Sequence, residues 1–249
     1  GIATAASNTQ PPIETGFADI VNLSADLYQV LEAKDRERMN PKPVLIEQER
    51  TPCLLSRDTV EGDAKRPAVQ VSNGMVDLLN YVSFVKAIQK LNKGYYNSAI
   101  QNLAKASPNQ AFPALMPVTC PAKNQLDVSN EQMGYFNQLA GTLLSIELAH
   151  HTLGYYTKYQ AKLTGTMALN HLLTAKEWQK SMVLGANKAI ECGLGVDGLR
   201  ALLEMIDDMP ARPDWTEYIL PKDVKAGKII KLLKAIEDKK LSLTGDDDE

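Results

Sequence analysis

Apolar residues recur at helical spacing from Phe17 to about Met39, where Ile20, Leu23, Leu27, Val30 and Leu31 share one face. Pro41 and Pro43 end that run. Two short β-prone stretches follow, Val44-Leu45-Ile46 and Ala68-Val69-Gln70-Val71. Turn residues such as Glu61-Gly62-Asp63 lie between them, and the pattern predicts a small sheet of two or three strands. From Gly74 the period lengthens again, with Met75, Leu78, Leu79, Val82, Val85, Ile88 and Leu91 forming a long stripe. Gly94 interrupts it, and a short helix is expected over 95–107. Residues 107–128 hold four prolines and read as a loop or surface insertion.

Ser129-Asn130-Glu131-Gln132 matches a capping box, in which the Ser and Gln side chains satisfy free amides at a helix start. Met133, Phe136, Leu139, Leu143, Ile146 and Leu153 follow, so a long central helix is expected from Ser129 to about Leu163. A brief helix near 167–173 and another from Thr174 to Glu191 come next. Cys192-Gly193 reads as the stop of the second. Helices over 196–208 and 222–239 complete the pattern, joined by a link containing Pro210, Pro213 and Pro221. The fold class expected is α+β and mostly helical. One domain spans 16–240, after a flexible leader at 1–15 and before an acidic tail at 241–249.

Composition narrows this picture. The chain has 249 residues, 44% hydrophobic and 23% charged, as in ordinary globular proteins. Its net charge is -3, part of it from Asp246, Asp247, Asp248 and Glu249, so it lacks the basic footprint of a dedicated nucleic-acid binder. No apolar run reaches the roughly 18 residues of a membrane span. The opening GIATAASNTQPP reads as what remains after a targeting segment is removed, which points to an exported, periplasmic or extracytoplasmic protein. The cysteines Cys53, Cys120 and Cys192 form no CxxC pair, which excludes a zinc ribbon. Cys53 and Cys120 both sit beside prolines. They either pair in an oxidising compartment or stay free.

The three histidines, His150, His151 and His171, lie within 22 positions. Glu147 and His150 fall one turn apart on one face of the long helix. Their string, Ile146-Glu147-Leu148-Ala149-His150, is HExxH with its first ligand replaced by Ile. In HExxH, two His at i and i+4 hold zinc and the Glu activates the bound water. Half of a di-iron site is also Glu-x-x-His, but the sequence has no second ExxH. Glu147 and His150 have a plainer reading as buried groups that satisfy each other or a backbone carbonyl. The pairs Tyr95-Tyr96 and Tyr155-Tyr156, with Tyr159, either line a groove or pack in the core.

Downstream, Gly185 and Gly193 are followed by Gly195-Val196-Asp197-Gly198-Leu199 and the helix beginning at Arg200. Upstream, Val71-Ser72-Asn73-Gly74-Met75 resembles a strand end and helix start. In this order, over roughly 65–208, the chain resembles the HExxH metallopeptidases with a Glu third ligand (gluzincins). The likeness is to the branch holding the CAAX-type membrane proteases and the periplasmic chaperone-proteases. That branch reads HELAH, then Gly-His, then an acidic ExEAD-like helix ending at Gly.

The resemblance implies a zincin-like fold, with the small sheet packed beside the motif helix. It makes Glu147 a vestigial general base and His150 a vestigial metal ligand. It places Ile146 and Trp178 where ligands are lost, Tyr155 where a His often stands, and Lys180 and Met182 on other acidic positions. Glu177 is one position from the third-ligand site. The expectation is a catalytically inactive relative that acts by binding a peptide or protein, with no cofactor. Peptides would lie along the edge of the sheet, as such proteases hold substrates. The rival is a zinc peptidase with a rearranged site drawn from His150, His151, His171 and Glu177. A further alternative is a helical scaffold with no active site. His151 is expected on the solvated flank of the helix, and Trp178 is expected to fill the old cleft.

Overall fold

In the computed structural model the described backbone covers residues 3–6, 13–105 and 118–239, and the described side chains cover 16–105 and 123–239. Helices dominate, and the architecture is α+β. The central element is α5 (Ala122–Thr152). Packed around it are α1 (Ile13–Gln29), α3 (Asn73–Ile88), α7 (Ala175–Glu191) and α8 (Asp197–Asp208), with strands β3 (Leu54–Glu61) and β4 (Ala64–Ser72) along one flank. The short helix α2 (Ala33–Arg38) follows α1, and α4 (Lys93–Ala104) follows α3. Helix α9 (Ala226–Glu237) closes the described chain against α8 and α7.

The sheet has three strands in the order β2-β4-β3. Strand β2 (Val44–Ile46) runs parallel to β4 (Ala64–Ser72), and β3 (Leu54–Glu61) pairs with β4 antiparallel. Glu61 pairs with Ala64 across a two-residue turn, and Gly62 at its first position has φ 62°, where a side chain would be strained. Two strands fall close to the expected positions. The third, β3, was not foreseen. Its sequence LLSRDTVE carries charge because the burial fades from Leu54 to an exposed Glu61. Strands β1 (Ala3–Ala6) and β5 (Val118–Pro121) form a separate antiparallel pair, drawn from the stretch read as a leader and from the proline-rich segment read as a loop. The acidic tail lies outside the described residues.

The long helix corrects the sequence reading at both ends. It starts at Ala122, directly after Pro121, so Ser129 and Gln132 lie inside the helix and do not cap it. It ends at Thr152, because Gly154 takes a left-handed φ of 78° and turns the chain into the short α6 (Tyr155–Tyr159). The expected helix near 167–173 is a single 3-10 turn at Leu169–His171. Helix α7 behaves as read. It ends in a Schellman turn, in which the Leu194 amide bonds Ala189 O and the Gly193 amide bonds Ile190 O, with Gly193 at φ 92°.

Close packing fixes how the neighbours sit on α5. A Cβ on Gly185 would lie 2.7 Å from both the Ile146 Cα and amide nitrogen, and one on Gly198 would lie 2.7 Å from the Leu139 amide nitrogen. At these two crossings α7 and α8 touch the backbone of α5 itself. The core is one continuous cluster running from Ile20 to Ile236. Trp215, in the Pro-bounded link, is buried and donates its indole N–H to Leu103 O at 3.3 Å, which pins the link to the body.

Candidate functional site

The last two turns of α5 carry the motif, and three elements wrap them. Strand β3 brings Ser56 and Arg57, helix α7 brings Trp178 and Ser181, and the 3-10 turn brings Asn170. Ile146 points into the α7 crossing and is buried, as is Trp178. Both positions where the resemblance calls for metal ligands are therefore apolar core.

Glu147 is 4% exposed. The Ser56 hydroxyl donates to the Glu147 backbone carbonyl at 3.0 Å and also bonds its carboxyl Oε2. Burial pushes Glu147 up to about 8, against the opposing pull of the Ser56 hydrogen bond and the Arg57 charge. Arg57 is itself drawn down by burial, with Glu147 opposing. Its guanidinium is spent on the carbonyls of Ser56 (2.9 Å), Met167 (2.7 Å) and Gly165 (3.4 Å).

His150 is 0% exposed. Its Nδ1 shares a 2.7 Å hydrogen bond with the Ser181 hydroxyl. Its Nε2 lies 3.9 Å from Glu147 Oε1, beyond hydrogen-bond reach, and has no hydrogen-bond partner among the described residues. Burial and then the adjacent His151 lower its pKa to about 3, with Asn170 opposing. Glu147 and His150 thus do not satisfy each other. Each is held by a serine from a different element, 91 and 31 residues away in sequence. Ser181, His150 and Glu147 bring a hydroxyl, an imidazole and a carboxyl near one another, the residue types of a nucleophilic triad. Ser181 and His150 are both fully buried, so no substrate reaches them.

His151 corrects the expectation of a solvated flank. It is 4% exposed and its Nε2 lies 2.8 Å from Ala68 O. A carbonyl accepts only, so that nitrogen carries the hydrogen. Strand β4 runs against this side of α5 and covers the ring, and Tyr156 meets it edge-on at 5.1 Å between centroids. Burial lowers His151 to about 4, against the Ala68 hydrogen bond.

The other candidate ligands lie apart. His171 is exposed, with Nδ1 3.0 Å from Glu217 Oε1. Glu177 is the N3 residue of a capping box on α7. It accepts from the Thr174 amide (2.9 Å), the Tyr159 hydroxyl (2.6 Å) and Lys158 Nζ (2.8 Å). Partial burial alone would raise its pKa, but these donors hold it at about 2. Among the described residues no group of three or more His, Cys, Asp or Glu side chains converges as metal ligands do. Of the four residues offered for a rearranged zinc site, His171 is engaged with Glu217 and Glu177 with Thr174, Tyr159 and Lys158, while the two positions where the resemblance places ligands, Ile146 and Trp178, are apolar.

Cys53 is a buried free thiol, pushed up by burial. The Cys120 side chain lies outside the described residues, and Cys192 is free and half-buried.

Sequence reasoning found Glu147 and His150 but missed Ser56, Arg57, Ser181 and Asn170. Ser181 had a usable signal, because it stands between Lys180 and Met182, two positions where the resemblance would place acids. Ser56 and Arg57 had none, because strand β3 itself was not read.

Two further features border this region. The outer edge of β3 is taken: the Asp58 amide donates to the Tyr156 hydroxyl at 3.3 Å, and Ser56 O accepts from Arg57. On the other side of α5, a groove of about 390 Å³ lies between α5 and α7, under the α1–α2 turn. Ser145, Ala149, Thr152 and Leu153 of α5 face Lys180, Leu184, Asn187 and Lys188 of α7 across it. These are matching stripes with i, i+4, i+7, i+8 spacing. Among the described residues no helix is long and apolar enough to cross a membrane. Comparisons with models of known protein families, with curated proteins and with solved structures find no match to this chain.

Proposed function

We propose that this chain is a metallopeptidase-like protein of zincin type that has lost its metal chemistry and works by binding a peptide or protein partner. The observation that carries the reading is the state of the motif pair. Glu147 and His150 keep the ExxH spacing on a helix that packs beside a small sheet, yet both are enclosed and held by Ser56 and Ser181. As the general base of a zinc peptidase, Glu147 would have to be ionised and to reach a metal-activated water. Glu147 is held neutral near pH 7 by burial, and Ile146 and Trp178 offer no metal donor.

Binding along the β3 edge is disfavoured, because its Asp58 amide and Ser56 carbonyl already have partners. The groove between α5 and α7 is the better place. Its volume suits one or two apolar side chains of a partner, with Leu31, Ala149, Leu153 and Leu184 in its lining.

Elemental analysis of the purified protein, dialysed against trace zinc and then against buffer, tests the chemical half of the proposal. A zinc content near zero is expected, together with no cleavage of a broad peptide panel with or without added zinc. One zinc per chain would overturn it and restore the rearranged-site alternative. The binding half predicts that apolar peptides from the same panel bind the native chain. Leu184→Glu, at a half-buried groove position, abolishes that binding while circular dichroism stays unchanged.

A further inference from the structure

The chain leaves α5 at Gly154 and returns to the body at Gly165. Both glycines have a left-handed φ, 78° and 54°, and nothing lies within 4 Å of a Cβ added to either. Between them run α6 and one 3-10 turn, Gln160–Lys162. None of the residues 155–164 is buried. The amides of Lys158, Gln160 and Leu163 donate to the carbonyls of Gly154, Tyr156 and Gln160, so these backbone bonds stay within the segment and its first glycine.

The far end of the segment is fixed by Arg57, whose guanidinium donates to Gly165 O and Met167 O. Two side-chain fastenings hold its middle. At the outer edge of β3 the Asp58 amide donates to the Tyr156 hydroxyl at 3.3 Å. At the start of α7, Lys158 Nζ and the Tyr159 hydroxyl donate to Glu177 at 2.8 and 2.6 Å. Exposed and half-exposed contacts of this kind are individually weak. A segment with no buried side chain opens at a lower free energy than the core beneath it.

We infer that residues 155–164 form a hinged strap that lifts as a unit about Gly154 and Gly165 and so uncovers the edge of β3 for an extended peptide. An edge strand presents a row of N–H and C=O groups, and proteins cover such edges with a loop or helix to prevent unwanted pairing. The closed strap sets a hydroxyl on the Asp58 amide, two residues before Val60, which is 68% exposed. Lifting returns that amide to the row, where a peptide backbone pairs with it by strand addition. The peptide half of the inference rests on the reading of this chain as a peptide binder, and the hinge half does not.

Amide hydrogen exchange of the whole chain, resolved by nuclear magnetic resonance, tests the hinge. The double variant Lys158→Ala/Tyr159→Phe undoes the fastening at Glu177. It leaves Glu177 capping α7 and Tyr156 on Asp58. A strap that lifts as a unit predicts that exchange at Asp58 rises severalfold, while the α5 amides of Leu143 and Leu144 keep their rates. An unchanged rate at Asp58 would overturn the hinge, because the two fastenings would then act independently. An equal rise at Leu143 and Leu144 would overturn it too, because the segment would then belong to the core. Fluorescence anisotropy of a labelled, end-capped hexapeptide of alternating Val and Thr tests the peptide half. The double variant should bind it severalfold more tightly than the native chain. Equal affinity, or no binding by either chain, would overturn the assignment of the edge. The exchange experiment contains no peptide, so failure of the binding reading is distinguishable from failure of the hinge.

Discussion

At the residue scale, Glu147, His150 and His151 are buried neutral groups, and their titration sets a pH profile for the whole fold. Glu147 is raised from 4.5 to about 8. The folded state therefore holds a proton that the unfolded chain gives up, and stability falls as pH rises from about 4.5 to 8. His150 and His151 are lowered from 6.5 to about 3 and about 4. There the unfolded chain takes up protons that the fold refuses, so stability falls as pH drops from 6.5 toward 3. Two histidines outweigh one carboxyl below pH 6.5, and the carboxyl acts alone above it. Chemical denaturation across pH should therefore peak near pH 6.5. Glu147→Gln keeps the side chain neutral and should flatten the alkaline limb, recovering up to about 2 kcal/mol at pH 8 relative to the native chain. At pH 5 it should cost up to about 1 kcal/mol for the altered Ser56 contact. A variant with an unchanged alkaline limb would show that Glu147 is ionised in the fold.

At the element scale, helix contacts on α5 were legible in the sequence only where they run through side-chain periodicity. The apolar stripes of α1, α3 and α7, the Gly193 stop and the ExxH spacing all lie within one segment, so local pattern reveals them. The true start of α5 at Ala122 was masked because Ser129 and Gln132 satisfy a capping pattern that the flanking chain overrides. Strand β3 pairs with its neighbour β4 across a two-residue turn, but its sequence LLSRDTVE shows no clean alternation because its burial fades along its length, and its contact with Glu147 of α5 comes from 91 residues away. The Ser56 and Ser181 contacts that define the site belong to this long-range class. Glycines show the difference experimentally. Gly185 meets the Ile146 backbone, whereas Gly134 has nothing within 4 Å of an added Cβ. Gly185→Ala should destabilise by about 1–3 kcal/mol through overpacking. Gly134→Ala, in the exposed part of the same long helix, should stabilise by about 0.5–1 kcal/mol. Urea midpoints at constant slope measure both, and equal effects would deny that α7 rests on the α5 backbone.

At the scale of the whole molecule, nearly every element leans on α5. Helices α1, α3, α7 and α8 and strands β3 and β4 contact it directly, and α9 reaches it through α7 and α8. The buried Glu147–His150 pair sits where three of these meet, so it opens to solvent only if that packing fails. Such convergence on one helix predicts a single cooperative transition, although the chain is longer than most two-state domains. The two tryptophans sample separate regions. Trp178 lies in α7 beside the motif, and Trp215 lies in the link before α9, pinned to Leu103. Single-tryptophan versions, Trp178→Phe and Trp215→Phe, should each give a fluorescence midpoint that coincides with the same variant's far-ultraviolet circular dichroism midpoint. If the emission of Trp215 instead shifted at clearly lower denaturant than the helix signal, the 210–237 region would be unfolding first. Helix α9 would then be an appendage of the α5 core rather than part of it, lost before the enclosed motif is.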